Sequence, residues 1–268
     1  MRNSYKVLAA FLLVAVCASA ALAATPSPNG ALIKLKIWND SPLSTASSIN
    51  SYPSMIVISD EGLSGCGFAN LHNWSFSEDG GATWAAFDNN SQFRFAADVV
   101  CEGTGDGEAY MRISPWWSKD GDGEFMLNTR TGEIAIFGGR LPFWSFTIPA
   151  HGGLTYAKGQ MVRMEMIYLP HSLTAGDPAT VEYVIWVAGV RHSSGPLAFD
   201  MANPAEDPPY GLWGMLNDGR VGGAVKAYAD CGNTDARFRV TWSRIEFYGA
   251  GTTPVSSKTW GNLKRQYK

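Results

Sequence analysis

Apolar and polar residues alternate with a period of two along much of this chain, in short runs that end at Gly, Asp, Asn or Pro. Over 93–99, Phe93, Phe95, Ala97 and Val99 are apolar, while Arg94 and Asp98 between them are charged. Over 161–169, Val162, Met164 and Met166 oppose Arg163 and Glu165. Over 237–247, Phe238, Val240 and Trp242 share their parity with Arg244 and Glu246. A period of two sends alternate side chains to opposite faces of a strand, so each run can bury one face, in whole or part, and offer the other to water. Similar runs occupy 32–38, 54–59, 72–77, 108–115, 123–128, 133–137, 141–148, 180–187, 190–192, 212–216 and 225–229. No long stretch repeats apolar residues at i, i+3, i+4 and i+7, so no long helix is expected. About a dozen strands in one chain predict an all-β fold of two packed antiparallel sheets. No fixed period recurs, which argues against a propeller or solenoid.

The N-terminus reads as a secretory signal. Arg2 and Lys6 precede an apolar run over 7–23 that ends in Ala21-Leu22-Ala23. A basic start, a short apolar stretch and an A-x-A-type site predict cleavage after Ala23. Residues 24–249 are then expected to form one β-sandwich domain, and 250–268 a linker with a short basic tail. No later segment approaches the ~20 apolar residues of a spanning helix, so no transmembrane segment is expected in the mature protein. Export in the bacterial manner, to an extracellular space, is the expected localisation.

Charge narrows the partners. The net charge is −3 and only 17% of residues are charged, so no nucleic-acid footprint is present. Sparse charges with many aromatics suit strands and sugar-facing surfaces. Once Cys17 leaves with the signal, Cys66, Cys101 and Cys231 remain. An oxidising compartment permits one bridge. Cys66 with Cys101 closes the shorter loop and is the expected pair, leaving Cys231 free.

Three stretches carry a family likeness. Ser77-Glu78-Asp79-Gly80-Gly81-Ala82-Thr83-Trp84 fits S-x-D-x-G-x-T-W and resembles the Asp-box hairpin of sialidases and related secreted proteins. Asp79 can accept from turn N–H groups, the glycines permit positive φ, and Trp84 can pack back over the turn. It occurs once, and a structural hairpin is expected. The segments 181–190 and 238–247 together resemble the concanavalin A-like or laminin G-like jelly rolls. That resemblance implies a two-sheet antiparallel jelly-roll sandwich, a fold often used for carbohydrate binding and less often for glycoside hydrolysis or polysaccharide elimination. The chain has Trp186-Val187-Ala188-Gly189 where many members place an Asp before the Gly, which weakens any carry-over of a ligand site.

Candidate site residues follow from side-chain chemistry. Flat aromatic faces stack on sugar rings, so Trp116, Trp117, Trp144 and Trp213 are candidate platforms. Arg163 and Glu165 place a cation and a carboxylate on one strand face, as a ligand-orienting pair or as a surface ion pair. Asp120, Asp122 and Glu124 gather carboxylates on a Gly-rich loop, either a solvated turn or a Ca²⁺ site. No Glu-x-Asp-x-x-Glu strand is present to face two carboxylates across a sugar, and no Gly-x-Ser-x-Gly, His-Glu-x-x-His or phosphate-cradling loop occurs. No catalytic residue is assigned. The sequence therefore predicts a non-catalytic protein that binds a glycan or cell-surface polymer. A glycoside hydrolase or polysaccharide lyase on the same fold and a structural matrix component are the alternatives.

Overall fold

The computed structural model describes residues 25–113, 124–137, 143–199, 213–215, 220–232 and 235–249. Within them fourteen strands form two sheets of seven, and every strand pair is antiparallel. The front sheet runs in the order β1 (Gly30–Asn39), β4 (Gly67–Ser77), β13 (Gly222–Ala229), β6 (Gly107–Arg112), β7 (Glu124–Asn128), β8 (Ile134–Phe137), β9 (Trp144–Ser145). The back sheet runs β12 (Val190–Ala198), β11 (Thr180–Val187), β10 (Val162–Leu169), β5 (Phe93–Glu102), β14 (Ala236–Gly249), β3 (Met55–Leu63), β2 (Thr45–Ser51). Hairpin neighbours such as β2–β3, β6–β7–β8–β9 and β10–β11–β12 alternate with connections that cross from one sheet to the other, as from β3 to β4, β4 to β5 and β13 to β14, which makes this a two-sheet jelly-roll sandwich. Among the described residues the only helical element is a 3-10 turn at Pro149–His151, and no helix is long and apolar enough to cross a membrane.

The alternation explains the core. Phe95, Ala97, Val99, Val162, Met164, Met166, Phe238, Val240 and Trp242 are all buried from the back sheet, against Trp74, Phe76, Met111, Phe125 and Val225 from the front. β14 departs from its expected parity after Trp242. Its register shifts between Ser243 and Glu246, and Arg244 takes a φ of 48°. One residue of bulge flips all that follows it. Ile245 and Phe247 turn inward, while Arg244 and Glu246 join the outer face and pair with Asp98 and Arg163.

The disulfide corrects the sequence expectation. Cys66 bonds to Cys231, with Cα atoms 4.6 Å apart, and Cys101 is the free thiol. β4 and β13 are neighbours with Gly67 opposite Ala229, so Cys66 and Cys231 flank the same end of one strand pair. Cys101 points into the core from β5 of the other sheet. A shorter loop gains only ~0.6 kcal/mol of closure entropy per halving, which strand register easily overrides.

Candidate functional site

The outer face of the front sheet carries a cleft of about 410 Å³ at its β1 side. Its geometry starts with β1. Leu32 and Lys34 project outward beside Asn73 and Ser75 of β4, because Leu32 pairs with Ser75 and Lys34 with Asn73. β1 then bulges between Lys34 and Trp38, and Lys36 takes a φ of 50°. The bulge lets Leu35 and Ile37 line the same cleft.

The fourth wall comes from the turn after β4. Asp79 accepts the backbone N–H of Ala82 at 3.0 Å and of Thr83 at 2.9 Å, with both side-chain hydroxyls of Ser77 and Thr83 also donating to it. These bonds, those from Ser77 and Thr83 foremost, hold the Asp79 carboxyl well below the usual carboxylate range. Gly81 has a φ of 105°, and a Cβ there would lie 2.7 Å from the Ala31 carbonyl oxygen. The turn therefore seats directly on β1 and sets Trp84 over the cleft. Two cations rest on that indole: Arg220 with Cζ 3.8 Å and Lys34 with Nζ 4.7 Å from the ring centroid.

Deeper along the same face, the side chains are buried. Arg112 lies fully buried with Nη2 3.4 Å from Ser75 Oγ, and burial pushes its guanidinium down to about 10. Tyr110 and Tyr228 both donate to the Glu108 carboxylate, Asn128 donates to it at 3.0 Å, and Lys226 Nζ lies 3.3 Å away. Burial first, then the charge of Glu108, drives the Tyr110 hydroxyl well above its ordinary value. Leu71, Tyr110, Met126, Ala135 and Ala224 form an apolar strip between these polar groups.

The residues singled out from sequence do not meet at this cleft. Trp144 sits on β9, at the opposite edge of the front sheet, stacked on His151 with centroids 3.8 Å apart and 4° between planes. Trp213 is half-buried, and its carbonyl accepts the Ala179 N–H at 2.7 Å. Arg163 and Glu165 lie on the outer face of the back sheet, Arg163 paired with Asp98 and Glu246, and Glu165 with Arg94. Trp116, Trp117, Asp120 and Asp122 lie outside the described residues. Glu124 is buried on β7, and among the described residues no group of three His, Cys, Asp or Glu could hold a metal ion. Trp84 was legible only as part of a turn motif. Lys34, Asn73, Ser75 and Arg220 had no signal in the sequence, because pairing between distant strands brings them together.

No family model matches the sequence, and no curated protein matches it. Solved structures do match. Arcelin-5, a lectin-like defense protein from Phaseolus vulgaris, has 11% identity and a TM-score of 0.40 over 82% of this chain and 98% of its own. The alginate lyase from Corynebacterium sp. has 10% identity and a TM-score of 0.42, covering 82% of this chain and 94% of its own. The family 7 alginate lyase A1-II′ has 9% identity and a TM-score of 0.44, covering 83% and 94%.

Proposed function

We propose that this protein is an exported binder of a carbohydrate or other surface polymer, acting without catalysis, and that the front-sheet cleft is where the polymer lies. The observation that carries this reading is the lining. Apolar side chains of β1 and an indole form the walls, and the Asn73 and Ser75 side chains supply hydrogen-bonding groups between them. A sugar ring needs that combination, an apolar face to lie on and a few fixed polar groups to orient its hydroxyls. The volume falls within the ~300–1,000 Å³ range of ligand sites. The Cys66–Cys231 bridge fits an oxidising compartment, as the signal-like N-terminus implies.

Catalysis is disfavoured by the chemistry of the buried groups. A general base needs a pKa near the working pH, whereas Tyr110 is driven upward, away from it. Glu108 and Glu124 share a face, but the register Glu108–Asn128 and Tyr110–Met126 leaves them four residues apart along the strands. That is a backbone offset of about 13 Å at ~3.3 Å per residue, and Tyr110 and Arg112 stand on the same face between them.

The test is affinity electrophoresis of the purified chain through gels containing a panel of neutral and acidic polysaccharides, with reducing-sugar and unsaturated-product assays on the same polymers. Retardation by at least one polymer, lost in Trp84→Ala and unaccompanied by product release, is the expected result. Free migration through every polymer, or turnover of any, overturns the reading.

A further inference from the structure

Resting on that reading, we propose that the polymer in the cleft is an anionic polysaccharide, with a carboxylate or sulfate group of the chain seated between Lys34 and Arg220.

Many cations of the sandwich are neutralised by a neighbouring carboxylate. Arg94 pairs with Glu165, Lys158 with Asp106, and Arg163 with Asp98. Lys34 and Arg220 break this pattern. Neither has a carboxylate partner among the described residues, and no Asp or Glu lines the cleft they share. Among the described residues, the buried Nε of Arg220 has no hydrogen-bond partner. A guanidinium carries five donors and no acceptor, so this N–H calls for an acceptor, which a ligand oxygen in the cleft would supply. Leaving a buried donor unmade is costly, and a ligand oxygen removes that cost.

The Trp84 ring explains how two like charges come to be held together. An aromatic face attracts a cation through its quadrupole but does not neutralise it. Both cations are therefore fixed in place, on one indole, with their charge intact. Arg112 stands next to them through Ser75, but its own charge is offset by that of Glu124, so it is no part of the uncompensated pair. Lys34 and Arg220, held on one ring with no carboxylate beside them among the described residues, disfavour one another until an anion enters. A neutral sugar can accept hydrogen bonds from these groups but brings no counter-charge to them. The protein as a whole is acidic, at −3, so the positive charge is local to the cleft and not a property of the surface. That same acidity disfavours a nucleic acid, whose phosphates would need a broad basic footprint.

The experiment uses the whole mature chain in affinity electrophoresis and titration calorimetry. The polymers are neutral glucans and galactomannans, uronate polymers, sulfated galactans and a single-stranded oligonucleotide. The expected result is binding to uronate or sulfated polymers alone. Affinity should fall about ten-fold or more between ~0.05 and ~0.5 M NaCl, as for charges brought together in water. Lys34→Gln and Arg220→Gln should each weaken binding about five-fold or more with unchanged melting temperature, while Lys34→Arg retains it. Equal, salt-insensitive binding of neutral polymers that Trp84→Ala abolishes overturns this inference and leaves the polymer-binding reading standing. Capture of the oligonucleotide as tightly as any polysaccharide overturns the polysaccharide assignment. Binding to no polymer overturns both.

Discussion

Trp74 of the front sheet and Trp242 of the back sheet meet edge to face across the sandwich, with centroids 5.9 Å apart and 75° between ring planes. Gly223 of β13 makes room for them. A Cβ at Gly223 would lie 2.4 Å from Trp74 Nε1 and 3.0 Å from a Trp242 ring carbon. Gly223→Ala is therefore expected to destabilise the fold by about 1–3 kcal/mol, because neither fully buried ring has space to retreat. Urea unfolding followed by tryptophan fluorescence measures it, and an unchanged midpoint would show that the rings repack freely.

The Cys66–Cys231 bridge closes a segment of 165 residues. Constraining so long a loop in the unfolded chain stabilises the native state by about 2–5 kcal/mol. Cys66→Ser with Cys231→Ser should lower the melting temperature accordingly, and non-reducing peptide mapping should recover the Cys66–Cys231 peptide. Cys101 should resist alkylation in the native protein at mildly alkaline pH, since burial pushes its thiol up to about 12. Labelling of Cys101 without unfolding would contradict its place in the core.

Asp60 gives the fold an acid-sensitive joint. It is fully buried between β3 and β4, accepting from Asn70 Nδ2 at 2.5 Å and from His72 Nε2 at 3.0 Å. The Lys36 N–H donates to His72 Nδ1, so the imidazole proton sits on Nε2 and points at the carboxylate. Burial pushes the Asp60 carboxyl up, and hydrogen bonds from His72, Ser44 and Asn70 more than offset it, leaving it below the ordinary value of 3.8. A depressed folded-state pKa means stability that is present above 3.8 and lost as pH falls through the lower folded value. Asp60→Asn should cost about 2 kcal/mol at neutral pH, with the gap to the parent narrowing in acid. Melting curves across that pH range decide it, and a pH-independent gap would sink the linkage.

How much of this was legible in the sequence depends on distance along the chain. The alternation over 93–99 and 161–169 placed Phe95, Val99, Met164 and Met166 in the core because strand parity is local. β2, Thr45–Ser51, was missed because it is an edge strand exposed on nearly all its residues and shows no alternation. β12 was read as ending at His192, yet it runs on through Gly195 and Pro196, which an edge strand tolerates. The parity of β14 failed at a one-residue bulge that composition does not announce. The bridge was misassigned because loop length is a weak guide beside register. The cleft was invisible for the same reason. Residues 34, 73, 75, 84 and 220 converge only once β1, β4 and β13 are in place.

The outer face of the back sheet is expected to serve stability and not binding. Arg94 holds Glu165 through two parallel hydrogen bonds of 2.6 and 2.8 Å, and Arg163 bridges Asp98 at 3.1 Å and Glu246 at 2.6 Å. These charges are already satisfied. Arg163→Ala and Glu165→Gln should each cost about 1 kcal/mol, modest because several of the partners face water. Polymer retention should be unchanged in both. Loss of retention at full stability would move the binding surface to this face.

The turn over 77–84 should matter more to the cleft than to the fold. It ties down the segment before β1 through Ser27 and Asn29, and it presses Trp84 against Lys34 and Arg220 by seating Gly81 on the Ala31 carbonyl. Gly81→Ala puts a Cβ where that oxygen stands, at a positive φ that alanine rarely adopts. Asp79→Ala removes the acceptor that gathers Ser77, Ala82 and Thr83. Asp79→Ala should melt close to the parent and Gly81→Ala lower, both should lose polymer binding, and the two losses of binding should not add, because each frees the same indole. The Asp79 carboxyl is held below its ordinary 3.8, so the turn keeps its bonds above that value and gives them up only as pH falls through the depressed one. Polymer binding should therefore persist down to about pH 4. Retardation in affinity gels run from neutral to acid pH checks it: binding retained in both variants would remove Trp84 from the site, and binding lost well above pH 4 would mean that another group, not Asp79, sets the acid limit.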